Sequence, residues 1–507
     1  MGRNLLKSTS AVAAVMLLSK VLGFFRQSII ANVYGSNIAT DTYFISSEFM
    51  INLSAAFTTA LTTALVTVYI SIAMRESKQA AGKVASRVLS LFLLGAAVLV
   101  ILLDVFSAEV GRILAPAYTA QEIQVLAHYL RLFSAAFLFS AFQSIYAAVQ
   151  NANDIFIPGK LYGVIYNPIT IFFMLAFGEK LGLSALVYAY YVANVIQVVL
   201  LHVRCRGLYT FTPALNFRDE RVRQVWRLAL PVLLSNVVIQ LNGVVDKAIC
   251  SYLGAGMASS YTYANTLEQF VTGTFTATIN LILLSRFAEI ATEGDQEKMN
   301  RTLTRAATLM VLILAPVAII TVFSAGDIVS LVYYRGEFTL ESVHSTTLAL
   351  VGFALGFPVI ALRELLIRVH FAYQRTRGPM VISMVSVVFN IVMSIVLSLF
   401  MGVLGVTLAT SLSAVLSVIL LNRDVKKLLP QFRLLAQWKS YGKCAVSTAL
   451  AVGAVLAVAE LRISSVLVRT ACKLFAGCAV YFVGIVLLHY SAVKAFVAEW
   501  RARHKKK

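Results

Sequence analysis

The sequence predicts an all-α polytopic membrane protein with about fourteen transmembrane helices, and three observations lead there. Of its 507 residues, 59% are hydrophobic and 13% charged, and the mean hydropathy is +0.81, well outside the range of soluble domains. Roughly fourteen apolar stretches run along the chain, each near the length of about 20 residues at which a helix crosses the hydrocarbon core. Lys and Arg gather in the short polar breaks between these stretches.

The stretches are centred near residues 20, 58, 96, 136, 169, 192, 240, 274, 314, 357, 390, 412, 451 and 480, which leaves little chain for a soluble domain. Arg3 and Lys7 precede the first stretch in the manner of a signal peptide. That stretch nevertheless carries Lys20 and Arg26 and leads directly into a second span, so it reads as a retained helix.

Orientation follows from the bias of basic residues in short loops. Breaks rich in Lys and Arg (Arg75 to Arg87, Arg204 to Arg227, Arg286 to Arg305, Arg375 and Arg377, Arg423 to Lys443) alternate with breaks poor in them. The poor breaks are Tyr34 to Thr40, Ser107 to Glu122, Gly178 to Gly182, Gly254 to Ser259 and Ser324 to His344. With an even number of spans, the rich breaks and both termini share the cytoplasmic side of a multi-pass membrane protein. The net charge of +20, including the tail Arg501 to Lys507, then expresses topology and affinity for anionic membrane lipids. A nucleic-acid partner is not expected.

The two halves echo each other. Leu17-Leu18-Ser19, Tyr34-Gly35 and Tyr43-Phe44 are answered by Leu233-Leu234-Ser235, Leu253-Gly254 and Tyr261-Thr262-Tyr263, and Pro158 with Tyr166-Asn167 by Pro379 with Phe389-Asn390. Paired segments run in the same direction through the membrane, which predicts two pseudo-symmetric six-helix lobes, 1–210 and 211–435. Residues 436–507 add two helices and the basic tail.

A minority of charges sit inside the apolar runs, where each costs roughly 2.5 to 3.5 kcal/mol at the bilayer centre unless paired or hydrated. Lys20, Arg26, Asp41, Glu48, Asp246, Lys247, Glu268, Arg363 and Glu364 are therefore the first functional candidates. Helical spacing extends the set, because positions i, i+4, i+7 and i+11 share a face. Asn236, Gln240, Gly243 and Lys247 fit it, as do Tyr261, Asn265, Glu268 and Thr272, and Asp41, Glu48 and Asn52 share a register. Lys20 and Arg26 lie about 120° apart on an ideal helix, so they share a cavity only if it is broad or the helix bends near Gly23. Glu364 and Arg368 have the spacing of a structural ion pair. Gln150, Asn167 and Asn390 read as hydrogen-bonding glue between helices.

The five cysteines (Cys205, Cys250, Cys444, Cys472, Cys478) show no paired spacing and imply neither a disulfide framework nor a metal site. The loops hold no Asp-x-Asp pair or His cluster, which speaks against a membrane glycosyltransferase, so no enzyme and no cofactor are expected.

Three segments carry a family resemblance. Ser19 to Arg26, with Tyr34-Gly35 and Ala39 to Phe44, resembles the opening helices of the MurJ/MviN family of lipid II flippases, within the multidrug/oligosaccharidyl-lipid/polysaccharide exporter superfamily. Leu331-Val-Tyr-Tyr-Arg-Gly-Glu-Phe-Thr339 looks like that family's external segment, and Arg368 to Pro379 like its Arg, Phe/Tyr-Ala, Thr, Pro pattern. The likeness covers about residues 5–490 in matching order.

The resemblance implies a two-lobed bacterial cytoplasmic-membrane transporter working by alternating access. Its substrate would be an undecaprenyl-pyrophosphate-linked sugar precursor of peptidoglycan, and cell-wall or polysaccharide synthases would be its partners. Lys20 occupies the position of a family arginine, and Arg26 and Asp41 match charged family positions. A diphosphate needs fixed cations, for which Lys20, Arg26, Lys247 and Arg363 are the candidates. Asp41, Glu48, Asn52, Asn236, Gln240, Asn265 and Glu268 complete the candidate substrate-binding set. Asp41, Asp246 and Glu268 are candidates for coupling to the membrane potential, a proton or a sodium ion.

The chain also departs from the pattern. The family's basic pair after the aspartate, and the Glu-Gly-Ala segment next to it, are replaced by the uncharged run Asn52 to Ala60, and an arginine of the eighth span by Thr266. These losses keep a flippase for a capsule or exopolysaccharide oligosaccharide as the alternative. A drug/cation antiporter of the same superfamily fits less well, because a cationic cavity repels its substrates.

Overall fold

The computed structural model describes residues 2–488 apart from 217, 435–436, 462 and 464; the basic tail Arg501 to Lys507 lies outside the described residues. Helices follow one another along the whole of that chain, and no strand occurs among the described residues. They are α1 (Gly2–Tyr34), α2 (Ile38–Arg75), α3 (Lys78–Val105), α4 (Ser107–Leu114), α5 (Ala120–Ser134), α6 (Phe137–Asn151), α7 (Tyr162–Leu181), α8 (Ser184–Cys205) and α9 (Glu220–Ser251). Then come α10 (Met257–Glu293), α11 (Gln296–Tyr333), α12 (Leu340–Ala354), α13 (Phe357–Ala372), α14 (Arg377–Met401), α15 (Val403–Leu428), α16 (Trp438–Glu460) and α17 (Val466–Leu488).

Among the described residues, twelve helical segments are long and apolar enough to span a membrane, or thirteen when α12 and α13, bent by 45°, count as one broken span. The 37-residue α10 covers the remaining expected centre near residue 274. Each of the fourteen apolar stretches therefore falls on one helix or on one pair of consecutive helices, α5 with α6 or α12 with α13.

Polar breaks start helices by local capping. Before α2, the Asn37 side chain accepts from the backbone N–H groups of Ala39 and Thr40 at 3.0 and 3.1 Å, while the Thr40 hydroxyl accepts from the Asn37 N–H at 2.9 Å. This reciprocal box satisfies donors that a helix cannot pair internally. Ser77, Thr119, Asp219 and Asp295 cap α3, α5, α9 and α11 with side-chain oxygens.

Contact density divides the chain into two compact units, a property distinct from the pairing of repeats at 1–210 and 211–435. The first holds Met1–Phe270, Arg335–Ser342 and Ser383–Val406, and the second holds Val271–Tyr334, Val343–Ile382 and Thr407–Lys507. In the first, α2 is the central post, packing on α3, α5, α6 and α9, while α7 packs on α1 and α8. Aromatic rings fill its core, with Phe57 stacked on Phe92 at 5.7 Å and edge-on to Phe137 at 5.2 Å.

The Lys/Arg-poor breaks converge at one end of this unit. The Ser36 hydroxyl donates to the Gly256 carbonyl at 2.7 Å, the Glu337 N–H to the Asn32 carbonyl at 3.0 Å, and the Tyr34 hydroxyl to the Gly182 carbonyl at 2.9 Å. Gly256 and Gly336 have φ of +82° and +55°, a region glycine enters without penalty. A Cβ on Gly256 would meet the Ser36 carbonyl oxygen at 2.7 Å, and one on Gly336 would collide with that of Asn32. Lys/Arg-rich breaks meet elsewhere in the same unit: Arg221 pairs with Glu76 at 2.8 Å, and Arg87 pairs with Asp219.

In the second unit α11 packs on α13, α16 and α17. Phe287, Met299, Leu303, Met310, Leu366 and Phe432 are among its buried core residues. Asp327 of α11 binds Arg469 at 2.8 Å and Lys473 at 2.5 Å, both on α17, fastening that helix to α11 by a shared carboxylate.

Candidate functional site

A cavity of about 190 Å³ opens inside the first unit between α1 and the first turns of α10. Lys20, Gly23, Phe24, Arg26 and Gln27 form one wall; Thr262, Asn265, Thr266, Gln269 and Phe270 form the other. Lys20 and Arg26 both reach it despite their offset around the helix, because long side chains swing their heads well away from the Cβ direction.

Each cation is differently held. The Arg26 guanidinium lies over the Tyr166 ring at 4.8 Å from its centroid, and Nη2 donates to the Gln27 side-chain oxygen at 3.5 Å. Its Nε is buried and has no hydrogen-bond partner among the described residues. Stacking on an aromatic face fixes the guanidinium plane without consuming its donors. Lys20 feels the buried carboxylate of Glu268 electrostatically. Behind this wall the Asn167 amide donates to the Ser19 carbonyl at 3.0 Å, tying α7 to α1.

Asp41 stands apart from the cavity. Wholly buried in the first turn of α2, it accepts from the backbone N–H of Gly256 at 2.7 Å, from that of Ser259 at 2.6 Å, and from the Ser259 hydroxyl. These donors belong to the start of α10, where unpaired N–H groups and the helix dipole favour an anion.

Glu48 of α2 forms an ion pair with Lys247 of α9. The pair is lopsided: the Lys247 side chain is 1% exposed and that of Glu48 26%. Asn52 and Gln240 line a separate small cavity of about 30 Å³ between α2 and α9. Asn236 lies on α9, half-buried, with an amide nitrogen that has no partner among the described residues. Asp246, buried, accepts from the Tyr261 hydroxyl at 3.1 Å and the Ser394 hydroxyl at 2.9 Å. Arg363 lies in the second unit on α13, where it pairs with Glu364 at 3.2 Å.

Of the expected site residues, the structure thus gathers Lys20, Arg26 and Asn265 around one cavity, with Glu268 behind it. Gln27, Gln269, Thr262, Phe24 and Phe270 belong there too and were not singled out from the sequence. The signal for Gln27 was present, since Lys20 and Gln27 are seven apart on one helical face.

An apolar multi-span helical bundle with a cationic, hydrogen-bonding cavity is the architecture of a membrane transporter for an anionic polar solute. The family profile described as "Lipid II flippase MurJ" matches residues 30–475, and the chain belongs to that family. Relatives described as "Probable lipid II flippase MurJ" include one from Rickettsia prowazekii, 23% identical over 76% of this chain and 77% of that one. Another, from Haemophilus influenzae, is 25% identical over 74% of this chain and 77% of that one. Among solved structures, "Lipid II flippase MurJ, inward closed conformation" superposes with a TM-score of 0.84 at 21% identity, covering 95% of this chain and 99% of that chain. An inward-facing multidrug-resistance MATE transporter gives 0.64 at 13% identity over 83% of this chain and 95% of that one. Both likenesses speak to the fold.

Proposed function

We infer that this chain is a flippase that carries lipid II, an undecaprenyl-pyrophosphate-linked peptidoglycan precursor, from the inner to the outer leaflet of the bacterial cytoplasmic membrane by alternating access. The observation that carries this reading is the convergence of Lys20 and Arg26 on one cavity inside an apolar bundle. A diphosphate diester brings two negative charges, and two fixed cations in a low-dielectric site answer them with charge-assisted hydrogen bonds.

The Lys/Arg-rich breaks and both termini face the cytoplasm in this reading, by the positive-inside rule. The end where Asp41 grips Gly256 and Ser259 is then external and closed. Release of the headgroup requires those bonds to break, and their reformation resets the carrier. Asp246, held by two hydroxyls, is the favoured seat for a coupling proton or sodium ion, with the membrane potential as the alternative drive. Anionic lipids bind the basic breaks, and synthases supply and consume the precursor.

The test is complementation of a strain depleted of its own lipid II flippase, with the inner-leaflet precursor measured by its protection from an external enzyme. The chain is expected to restore growth and export, and the double variant Lys20→Ala, Arg26→Ala to restore neither. Full export by that variant overturns the assignment of the cations.

A further inference from the structure

The cavity's two walls differ in chemistry. On α1, Lys20 and Arg26 are pure donors, suited to a group that only accepts, such as a diphosphate. On α10 the residues Thr262, Asn265, Thr266 and Gln269 follow i, i+3, i+4, i+7 spacing and carry no charge. The Thr262 hydroxyl donates to the Ala258 carbonyl at 2.8 Å and the Thr266 hydroxyl to that of Thr262 at 2.9 Å, so each keeps oxygen lone pairs for a ligand. Asn265 is half-buried and Gln269 exposed to the cavity, and each amide offers both donors and an acceptor. Phe24 and Phe270 stand 5.0 Å apart where the walls meet, an apolar platform for the C–H face of a ring.

Groups that both donate and accept suit partners that do the same, and in a lipid-linked precursor these are the hydroxyl and acetamido groups of the sugar. Resting on the flippase reading above, we propose that Thr262, Asn265, Thr266 and Gln269 form the sugar-reading wall, discriminating glycan-bearing lipid from its bare carrier, while Lys20 and Arg26 alone hold the diphosphate.

The experiment titrates the full-length protein in detergent with two probes, lipid II and undecaprenyl diphosphate, by native mass spectrometry. Asn265→Ala combined with Gln269→Ala is expected to weaken lipid II binding about tenfold, the worth of one or two neutral hydrogen bonds, while leaving undecaprenyl diphosphate within about twofold. Thr266→Arg is expected to erase the preference for lipid II while the bare carrier still binds, an outcome that loss of folding does not produce. Equal weakening of both probes by the alanine pair, or an unchanged preference in either variant, overturns the sugar-reading role. Failure of the unsubstituted protein to bind either probe instead overturns the flippase reading, and this inference with it.

Discussion

The Asp41 carboxylate of α2 closes the first turn of α10, accepting from the Ser259 backbone N–H at 2.6 Å and from the Ser259 hydroxyl. Two helices far apart in sequence are thereby joined through a buried anion and a helix N-terminus. Hydrogen bonds to a charged group are worth about 1.5 to 3 kcal/mol each, so this junction holds one end of the first unit shut.

Asp41→Asn keeps the shape and removes the charge. It is expected to shift the balance toward the open form and to impair flipping, whereas Ser259→Ala, which leaves both backbone bonds, is expected to impair it less. Labelling of a cysteine placed at Ser36 with a membrane-impermeant maleimide reads the opening. Unchanged labelling in Asp41→Asn would count against the junction as a gate.

Gly256→Ala adds a Cβ against the Ser36 carbonyl oxygen in a left-handed backbone. The expected result is the same increase in Ser36 accessibility with Asp41 intact, because the segments cannot approach. Wild-type accessibility in this variant would show that the approach is looser than the geometry states.

The Glu48–Lys247 pair predicts an unequal response. Glu48→Gln strands an ammonium that is 1% exposed, and uncompensated buried charges cost about 3 to 5 kcal/mol. Lys247→Met strands a carboxylate that still reaches solvent at 26% exposure, so it is expected to cost less. The double variant is expected to recover part of the loss of Glu48→Gln. Thermal unfolding in detergent measures the order, and equal costs for the two single variants would refute it.

Asp219 predicts a pH dependence. Burial is the largest single influence and pushes its carboxyl upward, but the Arg221 backbone N–H, the Arg87 guanidinium and the Val222 backbone N–H together outweigh it and hold the group below the ordinary carboxylate range. A depressed folded-state value means that the stabilisation is present above the unfolded value of about 3.9 and is lost as pH falls through the folded one. The stability gap between the wild type and Asp219→Asn should therefore be full near neutrality and fall away as pH drops through the folded-state value, below the ordinary carboxylate range. A gap independent of pH would mean that the charge contributes nothing.

Much of the fold was legible because apolar length is written directly in the sequence. Every expected span centre falls on a helix except that near residue 136, which lies at the break between α5 and α6 within a single span, and the Lys/Arg-poor breaks do meet, as Ser36 with Gly256 and Asn32 with Glu337 illustrate. The site was legible in spacing and less so in phase. Tyr261, Asn265, Glu268 and Thr272 share a stripe, yet the cavity takes Asn265 with Thr262, Thr266 and Gln269, while Tyr261, Glu268 and Thr272 are buried. Periodicity says which residues travel together, and neighbouring helices decide which side of the stripe faces the void. The partners of Asp41 left no trace because two of its four donors are peptide N–H groups, which every residue except proline possesses.

That last point bears on how such a protein ages through mutation. A clasp that grips main-chain nitrogen is blind to the side chains hung beside it, so positions 255 and 257 are free to drift as long as Gly254 and Gly256, at φ of +117° and +82°, remain glycine and proline stays out. Changes confined to the cavity wall of α10, Thr262 to Gln269, can then retune what the carrier selects without rebuilding the door it passes through.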